Sequence, residues 1–259
     1  MENELRIAGI QANLFWEDAL SNRKQFDEKI EQLPKNIDLI VLPEMFASGF
    51  SMEAQKVAEQ PYGETVLWMQ NTAKTKAIAI CGSLAIEENN MYYNRFLFVH
   101  PSGKIELYNK RHPFSLSGED KIFTSGKEKK IIEYKGWKIC PQICYDLRFP
   151  VWSRNTNNYD LLIYVANWPK KRVNAWQTLL KARAIENMAY TIGVNRIGTD
   201  QNNLDYTGKS MIVDFLGKSL ATLKPNVEGI VFTTLSKKKQ NDARKKLGFL
   251  NDRDHFNII

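Results

Sequence analysis

Trp137-Lys138-Ile139-Cys140-Pro141-Gln142-Ile143-Cys144-Tyr145-Asp146-Leu147-Arg148-Phe149-Pro150 runs from an apolar, strand-like segment into a cysteine, a few polar residues and an X-Pro stop. A cysteine at a strand end exposes its sulfur at the rim of a sheet, with the following backbone N–H groups free to point at whatever the sulfur attacks. A buried cysteine behaves instead as a small inert hydrophobe. The local sequence leaves both readings of Cys144 open, so the choice rests on what the rest of the chain brings to the same rim.

Working outward, residues 129–134 and 137–143 pair across Lys135-Gly136 as a hairpin that ends at Cys144. Downstream, the sequence predicts a short helix over 150–158, a buried strand over 160–167 stopped by Trp168-Pro169, and a helix over 173–190. That helix buries Trp176, Leu179, Leu180, Ala184 and Met188. Strands follow over 191–196, 210–214, 219–223 and 228–235, the last closing the sheet, and 236–259 form a basic helix and tail. Upstream lie a first strand (5–11), an amphipathic helix (16–33) with Leu20, Phe26, Ile30 and Leu33 inward, and an apolar strand (38–43) followed at once by Glu44. Pro61-Tyr62-Gly63 opens a helix over 64–76 with Val66, Leu67, Met69 and Ala73 on its apolar side. Strands over 77–86 and 91–99 come next, and Pro101-Ser102-Gly103 turns the second into a hairpin with 105–108, just before Lys110. Residues 111–126 read as a loop carrying Glu119.

Strands and helices alternate early while hairpins dominate the middle, so the α/β pattern fits neither a doubly wound nucleotide-binding fold nor an eightfold barrel. Two sheets face to face with helices outside accommodate it. The 259 residues, 43% hydrophobic and 25% charged, suit one domain over 1–259. No Gly-rich phosphate cradle is present. The net charge of +7 is concentrated in Lys237-Lys238-Lys239 and Arg244-Lys245-Lys246 without interleaved aromatics, which reads as a solvated face and not as a nucleic-acid site. The longest apolar run, residues 77–86, is about half the roughly 20 residues a membrane-spanning helix needs. Three cysteines with no C-x-x-C pair, and a start (Met1-Glu2-Asn3-Glu4) unlike a secretory signal, suit a reducing cytoplasmic setting.

A thiol attacking a carbonyl needs a base for its proton, a cation or N–H groups for the oxyanion, and an acid for the departing group. Glu44, Lys110 and Cys144 each follow an apolar strand and together supply all three. A Cys-His hydrolase using His112 or His100 is the rival enzyme. A zinc site built from His100, His112, His255 and the cysteines has no ligand pair at a characteristic spacing. Cys81 and Cys140 read as buried strand residues.

Leu42-Pro43-Glu44-Met45-Phe46, Tyr108-Asn109-Lys110-Arg111-His112 and Ile143-Cys144-Tyr145-Asp146-Leu147-Arg148-Phe149-Pro150 resemble, in order, the three signature blocks of the nitrilase superfamily of carbon–nitrogen hydrolases. Val165-Ala166-Asn167-Trp168-Pro169, Arg183-Ala184-Ile185-Glu186-Asn187 and Arg253-Asp254-His255-Phe256 look like further family segments, so the resemblance covers nearly the whole chain. It implies a four-layer α-β-β-α sandwich, associated as a homodimer, with Glu44 as general base, Lys110 as oxyanion-stabilising cation and Cys144 as nucleophile. The N–H of Tyr145 would complete the oxyanion hole, and Glu119 matches the family's supporting glutamate. Neither metal nor organic cofactor is implied. Cys-Tyr-Asp in place of the Cys-Trp-Glu typical of true nitrilases favours amides over nitriles. The Cys144 block, Pro141-Gln142 and His112-Pro113-Phe114 look most like the ω-amidases, which deamidate 2-oxoglutaramate and 2-oxosuccinamate. A small-molecule amide is thus the expected partner, with another small amide or deaminated glutathione as alternatives within the family and a non-enzymatic dimeric binding module outside it. The distal carboxylate of such a substrate calls for a basic residue. Arg148 is nearest in sequence, unless it forms a structural ion pair with Asp146 or another acid, while Phe114, Tyr145 and Trp168 are expected to wall the pocket.

Overall fold

A computed structural model of the chain describes residues 4–258. Met1 to Asn3 and Ile259, which belong to the expected 1–259 unit and to its opening and tail, lie outside the described residues. In chain order the strands are β1 (Glu4–Gln11), β2 (Leu39–Val41), β3 (Ala79–Glu88), β4 (Met91–Val99), β5 (Ile105–Asn109), β6 (Ile132–Tyr134), β7 (Trp137–Ile143), β8 (Leu161–Ala166), β9 (Tyr190–Asn195), β10 (Ile197–Thr199), β11 (Asp205–Thr207), β12 (Met211–Val213), β13 (Ser219–Thr222) and β14 (Gly229–Ser236). The helices are α1 (Ala19–Glu31), α2 (Ala54–Val57), α3 (Glu64–Lys76), α4 (Glu119–Ile122), α5 (Pro150–Ser153), α6 (Val173–Asn187) and α7 (Lys237–Leu247).

Two six-stranded sheets result, ordered β14-β1-β2-β3-β4-β5 and β13-β12-β9-β8-β7-β6. Each has a parallel centre, β1-β2-β3 in the first and β7-β8-β9 in the second, flanked by antiparallel strands. Side-chain alternation distributes the apolar residues into three clusters that define the layers. Ile7, Val41, Cys81 and Phe98 of the first sheet meet Ile139, Ile163, Ile192 and Ile212 of the second in the central core. On the other face of the first sheet, Ile10, Ile40 and Ile80 pack against Phe26 and Ile30 of α1 and Val66 and Met69 of α3. On the outer face of the second, Leu162, Tyr164 and Met211 pack against Trp176, Leu180 and Ala184 of α6. The layers are therefore helix, sheet, sheet, helix.

Several expected boundaries move. Helix α1 starts at Ala19, not residue 16, because Asp18 caps it by accepting the Ser21 N–H at 2.9 Å. Leu20 and Leu67 face solvent at 54% and 47% exposure. The inward positions nearby are taken by Asn22, which donates to the Phe15 and Ala47 carbonyls, and by Thr65, which hydrogen-bonds Glu59. The loop at 111–126 contains a 3-10 turn (Ser115–Ser117) and α4, while the helix expected over 150–158 stops at Ser153. Strand β14 returns to the first sheet, antiparallel to β1, and Glu228 sits outside it in an ion pair with Lys29 at 2.7 Å. The ribbon β10–β11 was not expected. The basic C-terminal segment is only partly a solvated face: Lys237 and Arg244 hold the buried Asp160 at 2.8 and 3.2 Å, and Gln240 is buried. Among the described residues no helix is long and apolar enough to cross a membrane.

Candidate active site

Glu44 and Lys110 stand just beyond β2 and β5 of the first sheet, Cys144 just beyond β7 of the second, and the sheets' face-to-face packing brings these ends to one rim. The backbone turns sharply there. Cys144 adopts φ +44° and Met45, directly after Glu44, φ +43°, left-handed conformations that cost a non-glycine residue roughly 1–2 kcal/mol. Such a turn lifts the thiol out of the strand direction and starts the 3-10 segment Cys144–Arg148. The N–H of Tyr145 lies in its first turn, where backbone donors lack an intrahelical acceptor.

Beneath the thiol is a chain of buried charges. Lys110 Nζ donates to Glu44 Oε1 at 2.8 Å and to both oxygens of Glu119 at 2.9 and 2.8 Å, and all three side chains are at most 1% exposed. Asn94 Nδ2 bridges the carboxylates, donating to Glu44 Oε1 at 2.8 Å and Glu119 Oε1 at 3.0 Å. The backbone N–H of Asn167 donates to Glu44 Oε2 at 2.8 Å, its Nδ2 to the Glu44 carbonyl at 2.7 Å, and the Phe114 N–H to Glu119 Oε2 at 2.5 Å. The Glu44 carboxylate is an electrostatic neighbour of the Cys144 thiol. Burial and the neighbouring Glu44 carboxylate push this thiol well above its usual range, against the pull of Lys110, so it rests protonated. Burial disfavours the Lys110 ammonium, but Glu119, Glu44 and Cys144 outweigh it and hold Lys110 above its ordinary value. Burial, offset in part by Lys110 and reinforced by Glu44, raises Glu119.

Cys144 opens into a cavity of about 300 Å³. Phe114, Tyr145, Arg148 and Trp168, all expected there, line it. The Phe114 and Tyr145 rings lie 4.8 Å apart, and the Arg148 guanidinium stacks over Trp168 at 5.0 Å. The alternative of an Arg148–Asp146 ion pair is overturned: Asp146 is buried and its oxygens are taken by Tyr108, His112 and the Ile143 N–H. His112 is committed to Asp146 at 2.7 Å, whereas the Glu44 carboxylate neighbours the Cys144 thiol. Cys81 and Cys140 are buried as expected.

The sequence reading missed Arg172, Phe50 and Asp200, which also line the cavity, and Asn94 and Asn167, which hold Glu44. Arg172 stacks over Phe114 at 5.2 Å, giving the wall a second guanidinium. Asn167 had a signal, since it ends a buried strand in a family-like segment. Asn94 sits mid-strand with nothing local to mark it, and Asp200 is placed by the unexpected β10–β11 ribbon, where it accepts from Tyr206 at 2.8 Å.

Relatives match this chain along almost their whole length. The Yersinia enterocolitica protein called Omega-amidase YafV is 44% identical over 98% of this chain and 99% of its own. The Bacillus subtilis 2-oxoglutaramate amidase is 31% identical over 95% and 96%. The solved structure of XC1258 from Xanthomonas campestris, a CN-hydrolase superfamily protein with an arsenic adduct in its active site, superposes with a TM-score of 0.96 at 40% identity, covering 99% of this chain and all of its own. The sequence pattern of the family described as Carbon-nitrogen hydrolase matches residues 6–245, and with that match, the helix–sheet–sheet–helix layering and these relatives, the chain belongs to the carbon–nitrogen hydrolase family.

Proposed function

We propose that the protein is an ω-amidase, hydrolysing the terminal amide of a small keto-acid monoamide such as 2-oxoglutaramate or 2-oxosuccinamate to the acid and ammonia. The observation that carries this reading is the hydrogen-bonded Glu44–Lys110–Glu119 chain meeting the Cys144 thiol at a small cavity walled by two guanidinium groups. The names of the relatives support the substrate class.

Because the thiol rests protonated, Glu44 takes its proton as sulfur attacks the amide carbon. The carbonyl electrons move to oxygen, which Lys110 Nζ and the Tyr145 N–H stabilise. Glu44 then returns the proton to nitrogen, the C–N bond breaks, and ammonia leaves a Cys144 thioester. Water deprotonated by Glu44 attacks the thioester, the second tetrahedral intermediate expels sulfur, and the thiol recovers its proton. Glu119, bidentate on Lys110, keeps that ammonium aimed at the oxyanion. Arg148 and Arg172 clamp the distal carboxylate, and Phe114, Tyr145 and Trp168 enclose the carbon chain.

Three unpaired cysteines support a reducing cytoplasmic setting, and the resemblance to a family that works as dimers supports a homodimer. The test is ammonia release from 2-oxoglutaramate, 2-oxosuccinamate, simple amides, deaminated glutathione and matching nitriles, with Cys144→Ala in parallel. Turnover of the keto-acid amides, lost in the variant and accompanied by an acyl adduct on Cys144 in the wild type, is expected. Preferred turnover of a nitrile, or none of either keto-acid amide, would sink the reading.

A further inference from the structure

The proposed base and cation belong to one sheet and the nucleophile to the other. Glu44, Lys110 and Asn94 hang from β2, β5 and β4, whereas Cys144 ends β7. Something must therefore set how far the thiol stands from the ammonium. Asn167, at the end of β8, ties the second sheet to Glu44. We propose that Asp146 does the same for Lys110, as the positioning residue that fixes the spacing and orientation between the Cys144 sulfur and the Lys110 Nζ.

Asp146 lies in the 3-10 turn two residues after the nucleophile and is fully buried. Its Oδ2 accepts the Ile143 N–H at 3.0 Å, reaching back to the residue before Cys144, and the Tyr108 hydroxyl at 2.7 Å. Its Oδ1 accepts the His112 N–H at 3.0 Å and His112 Nδ1 at 2.7 Å. A carboxylate only accepts, so Nδ1 carries the proton in this contact. Tyr108 and His112 stand two residues before and two after Lys110, so one carboxylate grips the nucleophile's turn and both sides of the lysine. The donors are themselves fixed. The Tyr108 hydroxyl accepts from Trp152 Nε1 at 3.0 Å and the Arg111 N–H at 3.2 Å, and the His112 ring stacks on Phe149 at 3.7 Å. Asparagine at this position keeps the shape but turns one acceptor oxygen into an NH₂ group facing two donors, which loosens one of the two attachments. A misplacement of about 1 Å between reacting groups is enough to lower a rate about 100-fold.

The inference rests on the amidase reading, and two readouts keep their failures apart. The first is steady-state hydrolysis of 2-oxoglutaramate per titratable Cys144. The second, which needs no turnover, is the pH profile of Cys144 alkylation by iodoacetamide. The charged and titratable groups around that thiol are Glu44, Lys110 and Glu119 beneath it and Tyr145, Arg148, Arg172, Asp200 and Tyr206 along the cavity it opens into. With Lys110 displaced, the thiolate loses its nearest cation. Asp146→Asn is expected to lower kcat about 100-fold with KM changed less than about threefold, and to move the alkylation profile to higher pH. His112→Ala, at a half-buried site that keeps the backbone contact, is expected to lower kcat about tenfold, and His112→Asn, which restores a nitrogen donor, to recover most of it. Should Asp146→Asn fail to fold, the two His112 variants carry the test. Normal kcat per titratable thiol with an unchanged alkylation profile, or no difference between His112→Ala and His112→Asn, overturns the proposal. Failure of the wild type to hydrolyse 2-oxoglutaramate overturns the amidase reading while the alkylation profiles still report on Asp146.

Discussion

Lys110 is the residue on which the electrostatics of the site balance. It is the cation between two buried carboxylates, Glu44 and Glu119, and its two hydrogen-bonded contacts with Glu119 explain why both acids tolerate full burial. Lys110→Met should abolish amide hydrolysis and destabilise the fold by about 3–5 kcal/mol, because Glu44 and Glu119 are left facing each other uncompensated. Adding Glu119→Gln should restore part of that stability without restoring activity. Urea midpoints and ammonia release on the same preparations separate the two effects, and equal stability of the single and double variants would show that the carboxylates do not repel through the vacated space. At this scale the three residues that the fold brings to one rim were legible, since Glu44, Lys110 and Cys144 each follow an apolar strand. The pairings of their supports were not: Asn94, Asn167 and Asp146 act through partners 50, 123 and 38 residues away, and although Asn167 stands at a strand end, no local pattern encodes which distant group each one holds.

Among the elements, strands and long helices fell largely where periodicity placed them, and α3 and β4 match to the residue. The misses share a cause. Leu20 and Leu67 are apolar residues outside the buried stripe, and periodicity cannot tell them from core positions when a hydrogen-bonded Asn22 or Thr65 fills the inward place. The ribbon β10–β11 is short, and its turn is held by Asp200, which accepts the Asn202 and Leu204 N–H groups, so it carries little apolar signal. How closely the two sheets approach was also invisible. A Cβ on Gly9 of β1 would lie 2.6 Å from Val194 Cγ2 of β9, and valine is stiff at χ1. Gly9→Ala should therefore cost about 1–3 kcal/mol by overpacking. In combination with Val194→Ala the cost should be less than the sum of the two single changes. Strict additivity in urea unfolding would mean that the strands separate without using Val194.

For the whole molecule, burying so many protonated groups makes alkaline pH the direction in which the fold weakens. Burial pushes Cys81 and Cys144 well above the ordinary thiol range and Cys140 up to about 11, and it raises Tyr108 and Tyr159 as well. Each of these groups keeps its proton longer when folded than when unfolded. Its contribution to stability is therefore complete below the unfolded pKa and is lost as pH rises toward the folded one. Lys110, also raised, acts in the same sense at higher pH. Unfolding free energy should accordingly be flat near neutrality and fall above about pH 9, where unfolded thiols begin to ionise. Cys140 isolates one share of that slope, because it lies on the α6 side of β7 and outside the proposed catalytic machinery. Cys140→Ala should lower stability at pH 8 by about 1 kcal/mol through the lost side chain. Between pH 9 and 11 its stability should then fall less steeply than the wild type's, by about 1.4 kcal/mol per pH unit, the value of one proton. Urea titrations at unit pH intervals read this directly. Parallel curves for the two proteins would mean that Cys140 ionises alike folded and unfolded, and would overturn the prediction.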